Sequence, residues 1–209
     1  MDKKGVLEKL NLDANYKYIC FVGHLAPWQG VEYLIKSSPY ILDKCPNTKF
    51  IIVGEGPKLE ELVKLADHLN ISQNYLFTGY VDYEKVPLYI NASNICVAPF
   101  VIERNERIGL SALKIYEYLA CGKPVVASKI TGIEELLSAS NGGISVAPEN
   151  VHDLGKAIVR LLQDDAVGEK MGTNGYEFIR NYHSWKVAAA NVENISYEVI
   201  NNFKKNNSS

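Results

Sequence analysis

The apolar pattern of this 209-residue chain repeatedly changes period. Short runs that fit a buried strand give way to longer stripes that fit a helix, and Gly, Pro or Asn marks each change. Residues 18–22 read as a first strand, 23–30 as a loop, and 31–44 as a helix that Pro39 is expected to kink or divide. A second strand over 49–53 and the turn Gly54-Glu-Gly-Pro57 lead into a helix over 58–70, with Leu59, Leu62, Leu65 and Leu69 on one stripe. Strands at 75–78, 95–98, 124–127 and 143–146 then alternate with helical stretches near 84–92, 111–120 and 133–139. Six short apolar strands with helical crossovers predict one α/β unit over residues 1–203, a doubly wound, Rossmann-like, six-stranded parallel sheet with helices on both faces. After Asn150, a good N-cap, the chain reads as a helical C-terminal extension to about 203, and the tail 204–209 is expected to be disordered.

In such a sheet ligands sit beyond the carboxyl ends of the strands, so the loops beginning at Gly23, Gly54, Gly79, Pro99 and Ser128 are where function is sought. A net charge of −2 gives no diffuse attraction for phosphate backbones or anionic membranes, so nucleic acid is a poor partner and any phosphate must be recognised by local groups. No apolar run approaches the roughly 20 residues that span a bilayer. The first eighteen residues carry no apolar signal core. Cys20, Cys45, Cys96 and Cys121 lack metal-ligand spacing, and Cys20 and Cys96 read as small hydrophobes in strands, which favours a reducing compartment.

Four motifs fall at the ligand edge. The loop Gly23-His-Leu-Ala-Pro-Trp-Gln-Gly30 occupies the place where open sheets cradle phosphates on backbone N–H groups, and it is equally well a structural turn. Its His24 is either a donor to a phosphate or sugar hydroxyl, or an ordinary surface histidine. The turn 54–57 reads first as a strand-to-helix connection and second as a place where a ligand lies against bare backbone. Residues 77–81, Phe-Thr-Gly-Tyr-Val, end the third strand. Backbone at Gly79 suits a flat base with Tyr80 or Val81 packed on it, although Tyr80 fits a plain core or surface role equally well.

The fourth motif, residues 111–128 (SALKIYEYLACGKPVVAS), is the most sharply punctuated, with Ser111 as N-cap, Gly122 just past the helix end and Pro124 opening a strand. Leu113, Tyr116 and Ala120 are expected to pack on the sheet while Lys114 and Glu117, spaced i, i+3, lie side by side. Lys114 in the first turn would add a full charge to the helix dipole, and a carboxylate one turn later can accept from both hydroxyls of a diol. The plain alternative is a solvated Lys114–Glu117 pair worth about 0.2–0.5 kcal/mol.

Residues 117–128 resemble the second half of the signature of the retaining GT4 (group 1) glycosyltransferases, which have the GT-B fold. The resemblance extends through the loop 23–30, VGEGP at 53–57, FTG at 77–79, Ala98-Pro99, GIEE at 132–135 and YHSWK at 182–186. It implies the C-terminal, donor-binding half of a two-domain enzyme, with the N-terminal acceptor-binding domain absent and the isolated half without turnover. The donor implied is a UDP- or GDP-linked hexose-type sugar, the acceptor a glycan or glycolipid, and no essential metal is expected. The place implied is cytoplasmic, with the complete enzyme able to lie peripherally on the inner face of the membrane.

By the same resemblance Glu117 holds the ribose hydroxyls, the loop with Gly23, Gln29 and Gly30 takes the phosphates, and the backbone from Gly79 through Tyr80 to Val81 lies beside the base. Gly54, Gly109, Leu110, Ser111 and Leu113 complete the donor-binding set. Three positions depart from the family: Gly109 stands where a sugar-binding glutamate is usual, and His24 and Gln29 stand where the phosphate loop usually has arginine and lysine. Glu103 and Glu106 are near the first of these but out of register. Lys114 is the expected replacement cation, and Lys114 and His24 are the catalytic residues expected here. The departures keep open a second reading, a nucleotide-binding or interaction module that has lost its chemistry. Another GT-B enzyme, such as an epimerase of UDP-N-acetylhexosamine, fits 111–128 less well. The last helix, with Trp185, Val192, Ile195 and Val199, is expected to reach toward the other half of a complete enzyme, and here to be exposed or to mediate self-association.

Overall fold

A computed structural model of the chain describes residues 3–108 and 113–206. A short helix α1 (Lys3–Lys9) precedes β1 (Lys17–Val22), and α2 (Val31–Lys44), β2 (Thr48–Val53), α3 (Leu59–His68) and β3 (Tyr75–Gly79) follow in turn. The second half comprises α4 (Val86–Ala92), β4 (Ile95–Ala98), α5 (Ile102–Ile108), α6 (Leu113–Ala120), β5 (Val125–Ser128), α7 (Ile133–Ser140) and β6 (Gly143–Val146). Three helices close the chain: α8 (Val151–Gln163), α9 (Asp165–Tyr182) and α10 (Trp185–Asn206). The strands form one parallel sheet in the order β3-β2-β1-β4-β5-β6, so the direction of winding reverses between β1 and β4.

Strand side chains alternate between two apolar layers, as the period of two in an extended chain requires. Ile19, Phe21, Phe50, Ile52 and Val126 meet Leu34, Ile35 and Ile41 of α2 and Leu154 and Ile158 of α8 on one face. Cys20, Val22, Ile51, Val53, Cys96 and Val125 meet Ile90 of α4, Ile115, Tyr118 and Leu119 of α6, and Ile133 and Leu137 of α7 on the other. A sheet covered on both faces explains why its strands read as continuous apolar runs.

Four expectations are corrected. Helix α2 is not divided at Pro39 but runs from Val31 to Lys44, with Leu34, Ile35 and Ile41 buried against the sheet on either side of the proline. Two seven-residue helices, α1 and α5, were not expected; α5 lies in the stretch read as the loop after the fourth strand. The face that α6 buries is Ile115, Tyr118 and Leu119, whereas Leu113 is 62% exposed, Ala120 is exposed and Tyr116 only edges the core. Finally α10 continues through Asn206, so the tail expected to be disordered is helical in its first three residues, and 207–209 lie outside the described residues.

The end of α6 is fixed from two sides. Gly122, at φ +68°, closes the helix with its N–H on the Leu119 carbonyl at 2.9 Å while Lys123 N–H reaches the Tyr118 carbonyl at 3.1 Å. Gly172 of α9 abuts this turn so closely that a Cβ there would collide with the Gly122 carbonyl oxygen. Gly172→Ala is therefore expected to cost about 1–3 kcal/mol in urea unfolding. Gly168→Ala on the same helix, where a Cβ would meet nothing nearer than 3.8 Å, should leave stability unchanged or raise it.

Candidate functional site

The carboxyl ends of β1, β2 and β3 carry Gly23, Gly54 and Gly79, and these three loops are laced together by backbone alone. Gly23 N–H donates to Val53 O at 2.9 Å, Gly54 N–H to Gly79 O at 3.0 Å, and Leu25 N–H to Glu55 O at 2.8 Å. A Cβ on Gly54 would strike the Gly23 carbonyl and one on Gly56 the Leu25 backbone, so the loop-packing role of the 54–57 turn is direct. Gly79 differs: it sits at φ +67° with nothing within 4 Å of where a Cβ would be, which leaves open backbone at the end of β3. Beyond it Tyr80 is 70% exposed, while Val81 packs on the edge of the core.

The loop 23–30 meets the chain after β4 at the point where the winding reverses. Gly30, at φ +67°, lies under the Pro99 carbonyl, and no Cβ fits there. The Trp28 carbonyl accepts both Val101 N–H at 3.2 Å and the Asn105 side-chain amide at 2.9 Å, tying α5 to this loop. His24 is exposed and Gln29 partly buried.

Helix α6 is docked on the same loop. The Tyr118 hydroxyl, fully buried, accepts Val22 N–H at 2.8 Å at the very end of β1. One turn earlier Lys114 Nζ donates to Gln29 Oε1 at 2.6 Å and lies directly against Gly23, where an added Cβ would come within 2.5 Å of it. Phe21 and Phe100 flank the ammonium, their ring centres 4.0 and 5.2 Å away. Burial between these rings pushes the Lys114 pKa down to about 7, against the smaller opposing pull of Glu117. Glu117 is partly buried, and the Tyr83 hydroxyl on the turn after β3 lies against it; the charge and hydrogen bond of that carboxylate hold the Tyr83 phenol above its ordinary value.

Gly23, Gln29, Gly30, Lys114 and Glu117 are thus brought to one edge, with Gly54 behind them and Gly79, Tyr80 and Val81 along it. His24 is on the same loop. Leu113 is exposed at the start of α6, and Gly109, Leu110 and Ser111 lie outside the described residues. Glu103 is exposed on α5. Sequence reasoning missed Phe21 and Phe100 as the walls around Lys114, Tyr118 as the tether to β1, and Tyr83 as the neighbour of Glu117. Two concavities, of about 620 and 340 Å³, lie away from this edge, between α7, β6 and α9 and beside the starts of β2 and β3. Among the described residues no cluster of three or more His, Cys, Asp or Glu could hold a metal.

A doubly wound parallel domain whose glycine loops converge at the reversal of winding belongs to the broad class of α/β domains that take a ligand at that point. Residues 2–178 match the model of the group 1 glycosyl transferases, and the chain belongs to that family. An uncharacterised glycosyltransferase of Methanocaldococcus jannaschii is 31% identical over 203 residues, covering 96% of this chain and 49% of the relative. A GDP-mannose-dependent monoacylated alpha-(1-6)-phosphatidylinositol monomannoside mannosyltransferase of Corynebacterium glutamicum is 28% identical, covering 93% and 50%. The chain spans about half the length of such relatives. Among solved structures, sucrose-phosphate synthase of Thermosynechococcus elongatus superposes with a TM-score of 0.81 at 26% identity over 94% of this chain and 49% of its own. HepE of Anabaena, solved with UDP and glucose, shares the fold at a TM-score of 0.76 and 22% identity over 93% and 51%.

The buried lysine makes the fold pH-sensitive in a defined direction. In the unfolded chain Lys114 holds its proton to about its ordinary 10.5, in the fold only to about 7, so between these values unfolding takes up a proton and stability rises with pH. Urea midpoints should therefore show Lys114→Met more stable than wild type at pH 6.5, with the gap shrinking toward pH 10. Parallel pH profiles for the two proteins would mean that the ammonium is not desolvated.

Proposed function

We propose that this chain is the donor-binding half of a retaining glycosyltransferase that passes a hexose-type sugar from a UDP- or GDP-linked donor to a glycan or glycolipid acceptor. Lys114 supports this reading most. The phosphate-side loop has Gln29 where a cation would offset a diphosphate, and the Lys114 ammonium is hydrogen-bonded to that very side chain from the neighbouring helix. Glu117, one turn further along α6, is the acceptor for the ribose diol, and the open backbone at Gly79 is the shelf for the base. UDP and glucose, with which HepE of Anabaena was solved, are of the same chemical class.

In the mechanism this geometry favours, Lys114 neutralises charge that builds on the leaving diphosphate, where a cation in a desolvated setting is worth most. Gln29 holds Lys114 at the loop when no ligand is present. His24, exposed on the same loop, is placed to donate to a phosphate or sugar hydroxyl. The isolated half is expected to bind nucleotide without turnover, since the acceptor side of the cleft would come from the other half of a longer enzyme. The proposed place is cytoplasmic, peripheral to the inner membrane face in that enzyme. The four cysteines are free, and no helix among the described residues is long and apolar enough to cross a membrane.

Calorimetric titration separates the two roles on α6. Glu117→Ala should weaken uridine or guanosine and their diphosphates alike by about tenfold or more, the scale of a hydrogen bond to a charged group. Lys114→Met should weaken only the diphosphates. If Lys114→Met leaves diphosphate affinity intact while Glu117→Ala abolishes it, the cation assignment is wrong.

Helix α10 is the remaining surface. Trp185, Val192 and Val199 recur at seven-residue spacing with Ile195 beside them, and Trp185 is 87% exposed. This stripe is proposed to mediate self-association of the isolated half. Sedimentation should show concentration-dependent association that Val192→Asp with Ile195→Asp removes; a wild-type domain monomeric at all concentrations would contradict it.

A further inference from the structure

A diphosphate carries more than one negative charge at neutral pH, and Lys114 supplies at most one positive charge. The loop 23–30 carries no Lys or Arg of its own. A second cation is nevertheless held on it. The Arg104 guanidinium of α5 lies over the Trp28 ring with its central carbon 4.0 Å from the ring centre. Trp28 is the residue next to Gln29, which carries Lys114, so two helices deliver one cation each to consecutive residues of the same loop.

The platform under Arg104 is held by hydrogen bonds on both sides of α5's first turn. The Trp28 carbonyl is held by Val101 N–H and by the side-chain amide of Asn105, which is itself 1% exposed and also donates to the Val101 carbonyl at 2.6 Å. Gly30, two residues on, is wedged under Pro99. This placement also spares the chemistry that matters: a guanidinium over an aromatic face keeps its N–H edge free, and that edge matches two oxygens of a phosphate. Arg104 is exposed, and among the described residues no carboxylate is paired with it.

We propose that Arg104, pre-oriented on Trp28, is a second diphosphate-binding cation of this site, gripping the phosphate that Lys114 does not neutralise. The inference rests on the donor-site reading above and adds to it a residue on α5. It also assigns Trp28 as a positioning residue, which acts by setting the plane of the guanidinium and does not touch the nucleotide.

The test is calorimetry of the intact chain with UDP and GDP, the corresponding monophosphates and the free nucleosides, at two salt concentrations. Arg104→Met should weaken the better diphosphate roughly five- to tenfold and lower its salt dependence, with a smaller loss for the monophosphate and none for the nucleoside. Arg104→Lys, which keeps the charge and loses the fork, should recover only part of the loss, and Trp28→Leu should resemble Arg104→Lys. Unfolding curves for each variant check that the fold is kept. Diphosphate affinity unchanged in Arg104→Met, or nucleoside affinity lost equally with diphosphate affinity, overturns the proposal while the donor site stands, provided Glu117→Ala and Lys114→Met still weaken binding. If wild type binds neither diphosphate, the donor-site reading itself has failed.

Discussion

Helix α6 is fastened to the carboxyl end of β1 at two points one turn apart, and the character of the site depends on that fastening. The buried Tyr118 hydroxyl takes the last N–H of the strand, and Lys114 reaches the side chain of Gln29 in the loop that follows. A strand end would otherwise leave a backbone donor facing a protein interior, which costs about 1–3 kcal/mol when unmet. Satisfying it with a side chain from α6 fixes the rotation of the helix, and the rotation decides which residues go inward. Ile115, Tyr118 and Leu119 enter the core, Leu113 is left in solvent, and Lys114 and Glu117 are turned to the loops at Gln29 and Tyr83.

The electrostatics follow from the same docking. Lys114 is set between Phe21 and Phe100 with an amide oxygen for company, so its charge is disfavoured in the free protein. A cation kept poorly solvated and without a carboxylate in contact is a destabilising feature that an anion would relieve. The glycines beside it serve different ends. Gly54 and Gly30 let backbone approach backbone, Gly23 leaves space for the Lys114 side chain, and Gly79 is open.

The six strands and their helical crossovers were legible because a sheet buried on both faces writes itself as repeated apolar runs, and 95–98 and 143–146 fall where the pattern put them. The packing face of α6 was not legible. Leu113, Tyr116 and Ala120 form as good a stripe as Ile115, Tyr118 and Leu119, and the choice between them is made by tertiary contacts, among them the hydrogen bond that the Tyr118 hydroxyl accepts from Val22 N–H. Pro39 does not divide α2, whose residues on both sides of it pack on the sheet. Lys114 was found through its spacing from Glu117, but its partner 85 positions earlier, Gln29, was known only as a missing charge. Arg104 and Asn105 were invisible as contributors because α5 is too short to show a helical period.

The central claim is that Lys114 meets the diphosphate as a cation although burial holds it partly neutral beforehand. Proton uptake on binding, obtained from titrations in buffers of different ionisation enthalpy near pH 8, tests this most directly. The account predicts that binding of UDP or GDP takes up a fraction of a proton, that the free nucleosides take up none, and that Lys114→Met abolishes the uptake. Diphosphate binding with no proton uptake in the wild-type chain, or equal uptake in Lys114→Met, would contradict it.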